Sequence, residues 1–259
     1  MSTAISTTVK SSDFAILDSS SEIAAGLADP NREAMDYTVI TSVKMPAGGG
    51  VIWTVEQDGN VEAVPEITGI LCAVQKHGVI WPTAEFSGGG SRPVVETWDL
   101  VRGIRRGDDL GDIDPAELDR CSNPDGTVRW RELSYTQPGS APNGRGCRAK
   151  ESRILYVLRP GELFPVKISA GPGSLMAIKP FLARMALPAY RHVVSLGLKR
   201  VQSGSGIAFS QIVPKIVDKL TVEQGEIIRQ AYTLPLLGMA GGSSESAAAD
   251  NGDVADAPF

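Results

Sequence analysis

The spacing of apolar positions changes along this chain, and the changes divide it into stretches of different character. Residues 1–36 are rich in Ser, Thr and Ala, with short apolar pieces at 14–17 and 23–27. Ser and Asp residues able to cap a helix lie just before 19–25, which predicts a short helix there. From Tyr37 the chain becomes β-branched. YTVITSVKM (37–45) reads as a strand, and VIWTVEQ (51–57) as its partner across the Gly-rich turn at 47–50. Asp58-Gly59-Asn60 is a further turn. EITGILCAVQKHGVIWP (66–82) suits one long strand, or a hairpin turning at Lys76-His77-Gly78.

Residues 83–150 lose this regularity. Gly88-Gly89-Gly90, Asp108-Asp109, Asn123-Pro124-Asp125-Gly126 and Gln137-Pro138-Gly139 punctuate them, so only short elements fit between. Such an excursion inside a compact domain is usually a functional or inserted lobe. SRILYVLRP (152–160) and LFPVKIS (163–169) then predict two strands around Gly161. A helix follows with Ser174 as candidate cap, broken or restarted at Pro180 and ended by Pro188. RHVVSLGLKRVQ (191–202) and GIAFSQIVPKIV (206–217) predict two strands about the Gly/Ser turn 203–206. Thr221 and Gln224 have capping-box spacing and start a last helix running to about Ala231.

The pattern gives a mainly β (α+β) protein. It has an N-terminal arm (1–36), a β-rich body (37–240) with the irregular lobe 83–150 inside it, and a C-terminal tail (241–259). From 152 to 213 the order is strand, strand, helix, strand, turn, strand. That order is compatible with an OB-like barrel, in which a helix sits between the third and fourth strands and the loop between the last two helps bind oligonucleotides.

Charge sharpens this picture. The chain of 259 residues has a net charge of −5 from 25 bases and 30 acids. Residues 1–36 hold six of the acids and two of the bases, and 241–259 hold four acids and no base. The body between them therefore carries 23 bases against 20 acids. A mildly basic body between acidic arms suits a polyanion binder. Three cysteines, Cys72, Cys121 and Cys147, make no even disulfide framework. No signal peptide pattern and no long apolar run is visible, so a cytoplasmic, reduced protein without a membrane span is expected.

The tail GGSSESAAADNGDVADAPF is made of small residues and acids, which predicts disorder. It closes on Asp-Ala-Pro-Phe. Pro stiffens the backbone, Phe can fill a pocket, and the carboxylates can meet a basic rim. A Gly/Ser-rich linker that runs into Asp residues and a final Pro-Phe resembles the acidic tip of bacterial and phage single-stranded DNA-binding proteins. Asp253, Asp256, Pro258 and Phe259 carry the resemblance, which covers about the last ten residues and is less acidic than the usual run of consecutive Asp. It implies an OB-fold body that holds the strand and a tip that recruits replication or repair proteins.

Binding a single strand without base specificity needs cations for phosphates and flat rings for bases. Arg129-Trp130-Arg131 supplies both. Trp130 is the first stacking candidate and Trp81, at a predicted strand end, the second. Trp53, in an apolar strand, reads as core. Arg145, Arg148, Lys150 and Arg153 follow in a Gly-bearing segment, and Lys199 and Arg200 stand near the turn 203–206, with Arg191 and His192 at the start of that strand. Arg102, Arg105 and Arg106 form another group, with Phe86 and Tyr135 as accessory rings. Cys121 and Cys147 lack close mates for a zinc site, and Cys72 reads as packing. Asp108, Asp109, Asp112 and Asp114 have the chemistry for Mg²⁺ but the look of a solvated loop.

No nucleotide-binding, hydrolase or metalloprotease signature is present, so neither enzyme activity nor a cofactor is expected. The reading is a single-stranded DNA-binding protein of replication, recombination or repair, able to form homo-oligomers. The alternatives are a strand-annealing or recombination-mediator protein, a phage or mobile-element structural protein with a solvated tail, and an unrecognised nuclease.

Overall fold

The computed structural model describes residues 9–10, 13–18, 40–57, 60–83, 92–142, 144, 146–204 and 206–242. The predicted helix at 19–25, Phe86, Arg145 and the tip residues Asp253, Asp256, Pro258 and Phe259 lie outside them.

A short helix α1 (Ala15–Asp18) precedes β1 (Ser42–Val43), β2 (Trp53–Gln57) and β3 (Asn60–Val64). The long strand β4 (Glu66–Ile80) follows. The lobe contributes β5 (Val95–Thr97), β6 (Arg102–Arg105), α2 (Pro115–Arg120) and β7 (Val128–Arg129). Then come β8 (Lys150–Leu158), β9 (Val166–Ala170), α3 (Pro172–Ala183), β10 (His192–Gln202) and β11 (Ala208–Lys219). The last elements are α4 (Val222–Ile228), a π-helical turn at Arg229–Thr233 and α5 (Leu234–Gly242).

One mixed sheet of nine strands holds all but the β2–β3 hairpin. β4 is its axis. Along one edge it pairs with β8, from Ile70–Leu158 to Val79–Lys150. Along the other edge its first residues pair with β10 and its last three with β5. β9 joins β8, and β1 joins β9 in parallel. β11 pairs with β10 and, among the described residues, with no other strand. No ladder therefore closes a barrel. The stretch facing β11 is instead the turn at 46–50, where the Ser210 hydroxyl donates to the carbonyls of Pro46 and Gly50 at 2.7 and 2.8 Å.

Both faces of the sheet are covered, which is why β4 and β8 read as near-continuous apolar runs. On one face Ile70, Cys72, Tyr156 and Leu158 pack against Phe14 and Ile16 of the arm and against Ile228, Tyr232 and Leu236 of the C-terminal helices. On the other, Leu71, Leu155, Val157 and Leu196 meet Trp53 and Ile178 of α3. Burial in the first layer pushes the Cys72 thiol up to about 12, as expected of a packing cysteine. The lobe has a core of its own around Ile80, Leu118, Val128, Trp130 and Leu133.

Several local predictions change. Of the strand predicted at 37–45, the described residues 40–45 contain β1, which pairs with β9; a bridge of Lys44 with Thr54 joins this stretch to β2. Residues 66–80 form one strand with no hairpin, because His77 and Gly78 are held in ladders with β8 and, at Gly78, with β5 as well. α3 runs through Pro180, and its N-cap is Gly171. Ser174 is buried and its hydroxyl accepts from the Ile212 backbone N–H at 3.1 Å, so it joins α3 to β11. The capping box of Thr221 and Gln224 forms as predicted, and the helical run beyond it reaches Gly242. Among the described residues no helix is long and apolar enough to cross a membrane.

Gly69 stands where β4 is flanked by β8 and β10. A side chain there would put its Cβ 2.1 Å from the Leu158 carbonyl oxygen. Gly69→Ala should therefore lower unfolding stability by roughly 2 kcal/mol or more. Urea denaturation followed by tryptophan fluorescence checks this, and an unchanged midpoint would mean that β4 and β8 do not approach so closely.

Candidate nucleic-acid interface

β4 and β8 run on past the body and carry the lobe at their far ends. A shift in the ladder decides which side chains face which way there. The β4–β8 register shifts between Leu71 and Ala73, so Cys72 and Ala73 share a face. Beyond the bulge Gln75 and His77 continue that face, and Val74 and Lys76 take the opposite one, level with Leu155 and Arg153.

An open cleft of about 390 Å³ lies on this second side. Lys76, Glu151 and Arg153 form its floor, Lys179 of α3 one wall, and Leu100, Trp130, Arg131, Thr136 and Gln137 of the lobe the other. Lys76 and Arg153 are directly opposed across the ladder. Arg153 is 9% exposed, and among the described residues its guanidinium meets one acceptor, the Ser152 carbonyl at 2.9 Å. Burial pushes its pKa down, and the nearby Glu151 charge only partly opposes this. Lys76 has no acid within ion-pair distance among the described residues, and Arg131 donates only to the Leu100 carbonyl at 3.2 Å. Lys179 pairs with Glu151 at 3.3 Å. Leu100 has a φ of 61°, the one positive value among the described non-glycine residues. Thr97 and Asp99 hold that loop: the Thr97 hydroxyl accepts from Leu100 N at 3.0 Å, and Asp99 Oδ1 from Val101 N and Arg102 N at 2.6 and 2.8 Å.

The second cationic element is the free end of the β10–β11 hairpin. Beyond Gly197 β10 leaves β4, and the two strands continue as a ribbon to a turn closed by Ser203 N–H on the Ile207 carbonyl at 2.8 Å. Lys199 and Arg200 are exposed and form no ion pair among the described residues. Being adjacent on a strand, they point to opposite faces. Half-buried Phe209 lies across the ladder from Val201 and against Gly173.

The other expected site residues are placed differently. Trp130 is corrected from an open stacking ring to a core ring: it is 1% exposed and packs where Gly78 leaves room, since a Cβ at Gly78 would come 2.6 Å from its Cζ2. Arg129 is held within the lobe by Glu132 at 2.7 Å, the Ser122 and Arg120 carbonyls and Asn123 Oδ1. Arg148, 5% exposed, binds the carbonyls of Thr83 and Trp81 and the Asp112 carboxylate at 2.7, 2.9 and 2.6 Å. These two arginines tie the lobe together and are not free for phosphate. Trp81 and Lys150 are half-buried, the latter opening β8. Arg105 and Arg106 pair with Asp119 and Glu96, and Asp114 caps α2. Arg191 donates to the Leu220 carbonyl and His192 is buried against that of Pro188. Among the described residues no three metal-binding side chains cluster.

Sequence reasoning missed Lys76, Lys179 and Phe209. Lys76 was hidden in a predicted turn. Lys179 is a lone base on an apolar helix, and Phe209 reads as an ordinary strand residue. Only the three-dimensional join of β4, α3 and the lobe brings the lysines together.

On the opposite side of the β4–β8 extension His77 bridges Ser152 Oγ at 3.3 Å and Glu96 at 3.0 Å, and its ring stands 4.5 Å from that of Trp98. Burial would raise the Glu96 carboxyl, but the His77 hydrogen bond and charge, with Arg106 at 2.9 Å, outweigh it and hold the carboxyl below its usual range. No family model, curated protein or solved structure matches the chain.

Two tests follow from these placements. A carboxyl whose pKa is depressed by folding contributes stability above its unfolded value of about 4.3, and that stability is lost as pH falls through the folded value. Between pH 5 and pH 3 the urea midpoint of the wild type should therefore fall more steeply than that of Glu96→Gln; parallel curves would remove Glu96 from the account. Arg148→Ala removes a buried guanidinium that binds the Thr83 and Trp81 carbonyls and the Asp112 carboxylate, and should cost about 2 kcal/mol. Calorimetry should show a lower transition, and an unchanged one would mean that the lobe does not depend on this side chain.

Proposed function

We propose that the chain is a non-enzymatic single-stranded DNA-binding protein with little sequence preference, which recruits replication or repair proteins through its C-terminal tip. The observation that carries this reading is a set of cations that form no ion pair among the described residues, Lys76, Arg131, Arg153, Lys199 and Arg200, at the two loop regions of a particular strand order. That order is β9–β8–β4–β10–β11, with α3 between β9 and β10. We read it as an OB-like body with β4 as first strand, β8 and β9 as second and third, and β10 and β11 as the last pair. In this correspondence the lobe is the connection between the first two strands and the 203–207 turn that between the last two. Those are the loops with which OB folds hold oligonucleotides. Among the described residues the outer edge of β11 has no partner strand, which agrees with the partly open form of such barrels.

Fold order alone does not give function, so the weight rests on the charges. An exposed Lys199 and Arg200 on a hairpin end can follow a phosphate backbone and release its counterions. Phe209 and Trp81, each partly exposed, are the rings proposed to meet bases. Asp253, Asp256, Pro258 and Phe259 are the proposed partner-binding tip.

The double variant Lys199→Gln/Arg200→Gln should bind oligo-dT with a salt slope lower by about 1 to 2, as expected for the loss of one or two phosphate contacts. Fluorescence titration at two salt concentrations measures this. An unchanged slope removes the hairpin from the interface, and a wild type with no salt-sensitive binding defeats the reading. Cutting the chain after Gly241 should leave oligo-dT binding intact or stronger and abolish capture of replication or repair enzymes; retained capture would reject the tip.

A further inference from the structure

We infer that the cleft between β8, α3 and the lobe is a binding site for a terminal phosphate monoester, the dianion carried by a nucleotide or by the phosphorylated end of a strand. Two features point to a missing anion. Lys76 and Arg153 are like charges directly opposed across an antiparallel pair, an arrangement that destabilises a sheet unless something neutralises it. Arg153 is nine-tenths buried and meets a single carbonyl, so most of its guanidinium donors are unused. A charged side chain so buried is usually paired.

The charge balance selects the ligand. Lys76, Arg131, Arg153 and Lys179 face one carboxylate, Glu151, which leaves three positive charges in excess. A backbone phosphodiester offers one negative charge and two free oxygens. A monoester offers close to two charges and three acceptor oxygens at neutral pH. The planar fork of Arg153 and the point charges of Lys76 and Lys179 suit a compact tetrahedral dianion. The excess of donors over acceptors and the burial of Arg153 both favour the more highly charged group. This site is distinct from the hairpin end carrying Lys199 and Arg200, and its occupancy does not depend on strand binding there.

The test uses the full chain and inorganic phosphate as first probe, by calorimetric titration and by thermal shift against chloride of equal ionic strength. Phosphate should bind one to one and raise the melting temperature. Lys76→Gln and Arg131→Gln, both at exposed positions, should each weaken phosphate about tenfold. Without phosphate, Lys76→Gln should melt higher than the wild type, because the opposed charges are gone. A gain in stability together with a loss of phosphate affinity is a signature that a merely structural lysine would not give. Dimethyl phosphate, a diester of one charge, should bind at least tenfold more weakly than phosphate. Equal binding of the two overturns the monoester assignment, and no phosphate effect beyond ionic strength overturns the site. A 5′-phosphorylated oligonucleotide that displaces phosphate better than both its 5′-hydroxyl counterpart and a nucleoside monophosphate supports the site and assigns it to strand ends. Equal displacement by the nucleoside monophosphate also supports it and assigns it to free nucleotides. Oligo-dT with a 5′-hydroxyl, read on the Lys199→Gln/Arg200→Gln variant, reports the hairpin separately, so failure of one proposal is distinguishable from failure of the other.

Discussion

The double-edged pairing of β4 is the constraint on which the molecule depends. Fifteen residues, Glu66–Ile80, are paired with β8 on one edge and with β10 and then β5 on the other. A strand so placed must be apolar on both faces where it crosses the body, and it cannot carry a side chain where its neighbours come closest. Gly69 meets the second demand and the run ILCAV the first. The bulge at Cys72 then resets the alternation, so that Lys76 emerges beside Arg153 on the cleft side. A ladder without that extra residue would turn Lys76 to the side of His77 and Gln75, among the C-terminal helix contacts, where an unpaired ammonium is costly. One inserted residue thus links the body's packing to the charge of the cleft.

The elements legible in the sequence are those whose signal is local. Alternation and β-branching gave β8, β9, β10 and β11 nearly in full, and Thr221 with Gln224 marked a helix start that the capping geometry reproduces. Partner choice was not legible. The segment around Ser42 pairs in parallel with β9, more than a hundred residues away, because the neighbouring 51–57 strand is taken by its hairpin with β3. Lys76-His77-Gly78 looked like a turn because it has turn-forming composition; in the fold Gly78 is there to admit the Trp130 ring, a tertiary demand that composition cannot reveal.

The same distinction explains where the fold places the arginines singled out in the sequence. Arg129 and Arg148 looked like phosphate ligands because they stand in polar, Gly-bearing sequence. Such sequence folds into a lobe only if its many loop carbonyls find donors, and these two guanidinium groups supply them. An arginine in an irregular segment is therefore used up by the irregularity itself. Arg131 and Arg153 escape that fate for opposite reasons: one projects outward from a short turn, the other sits on a strand whose backbone is already satisfied by its ladders.

Most of the cations proposed to bind here stand on regular structure, and that reverses the usual association of binding residues with loops. Lys76, Arg153, Lys199 and Arg200 are all on strands, and Lys179 is on a helix. A cation fixed on a ladder keeps its position when no anion is present, and it bears the full repulsion of its neighbours in that state. The opposed pair Lys76 and Arg153 is such a case. Its repulsion is built into the folded state, Glu151 offsets part of it, and an incoming negative charge would relieve the rest. Binding at such a place gains from the removal of repulsion as well as from new hydrogen bonds, whereas a flexible surface lysine can move away from its neighbours and gains only the latter. The cleft is therefore a stronger candidate for a specific ligand than the hairpin end. The hairpin, with its two cations on opposite faces and a partly exposed ring beside them, has the adaptable character that a sequence-tolerant hold on a strand requires.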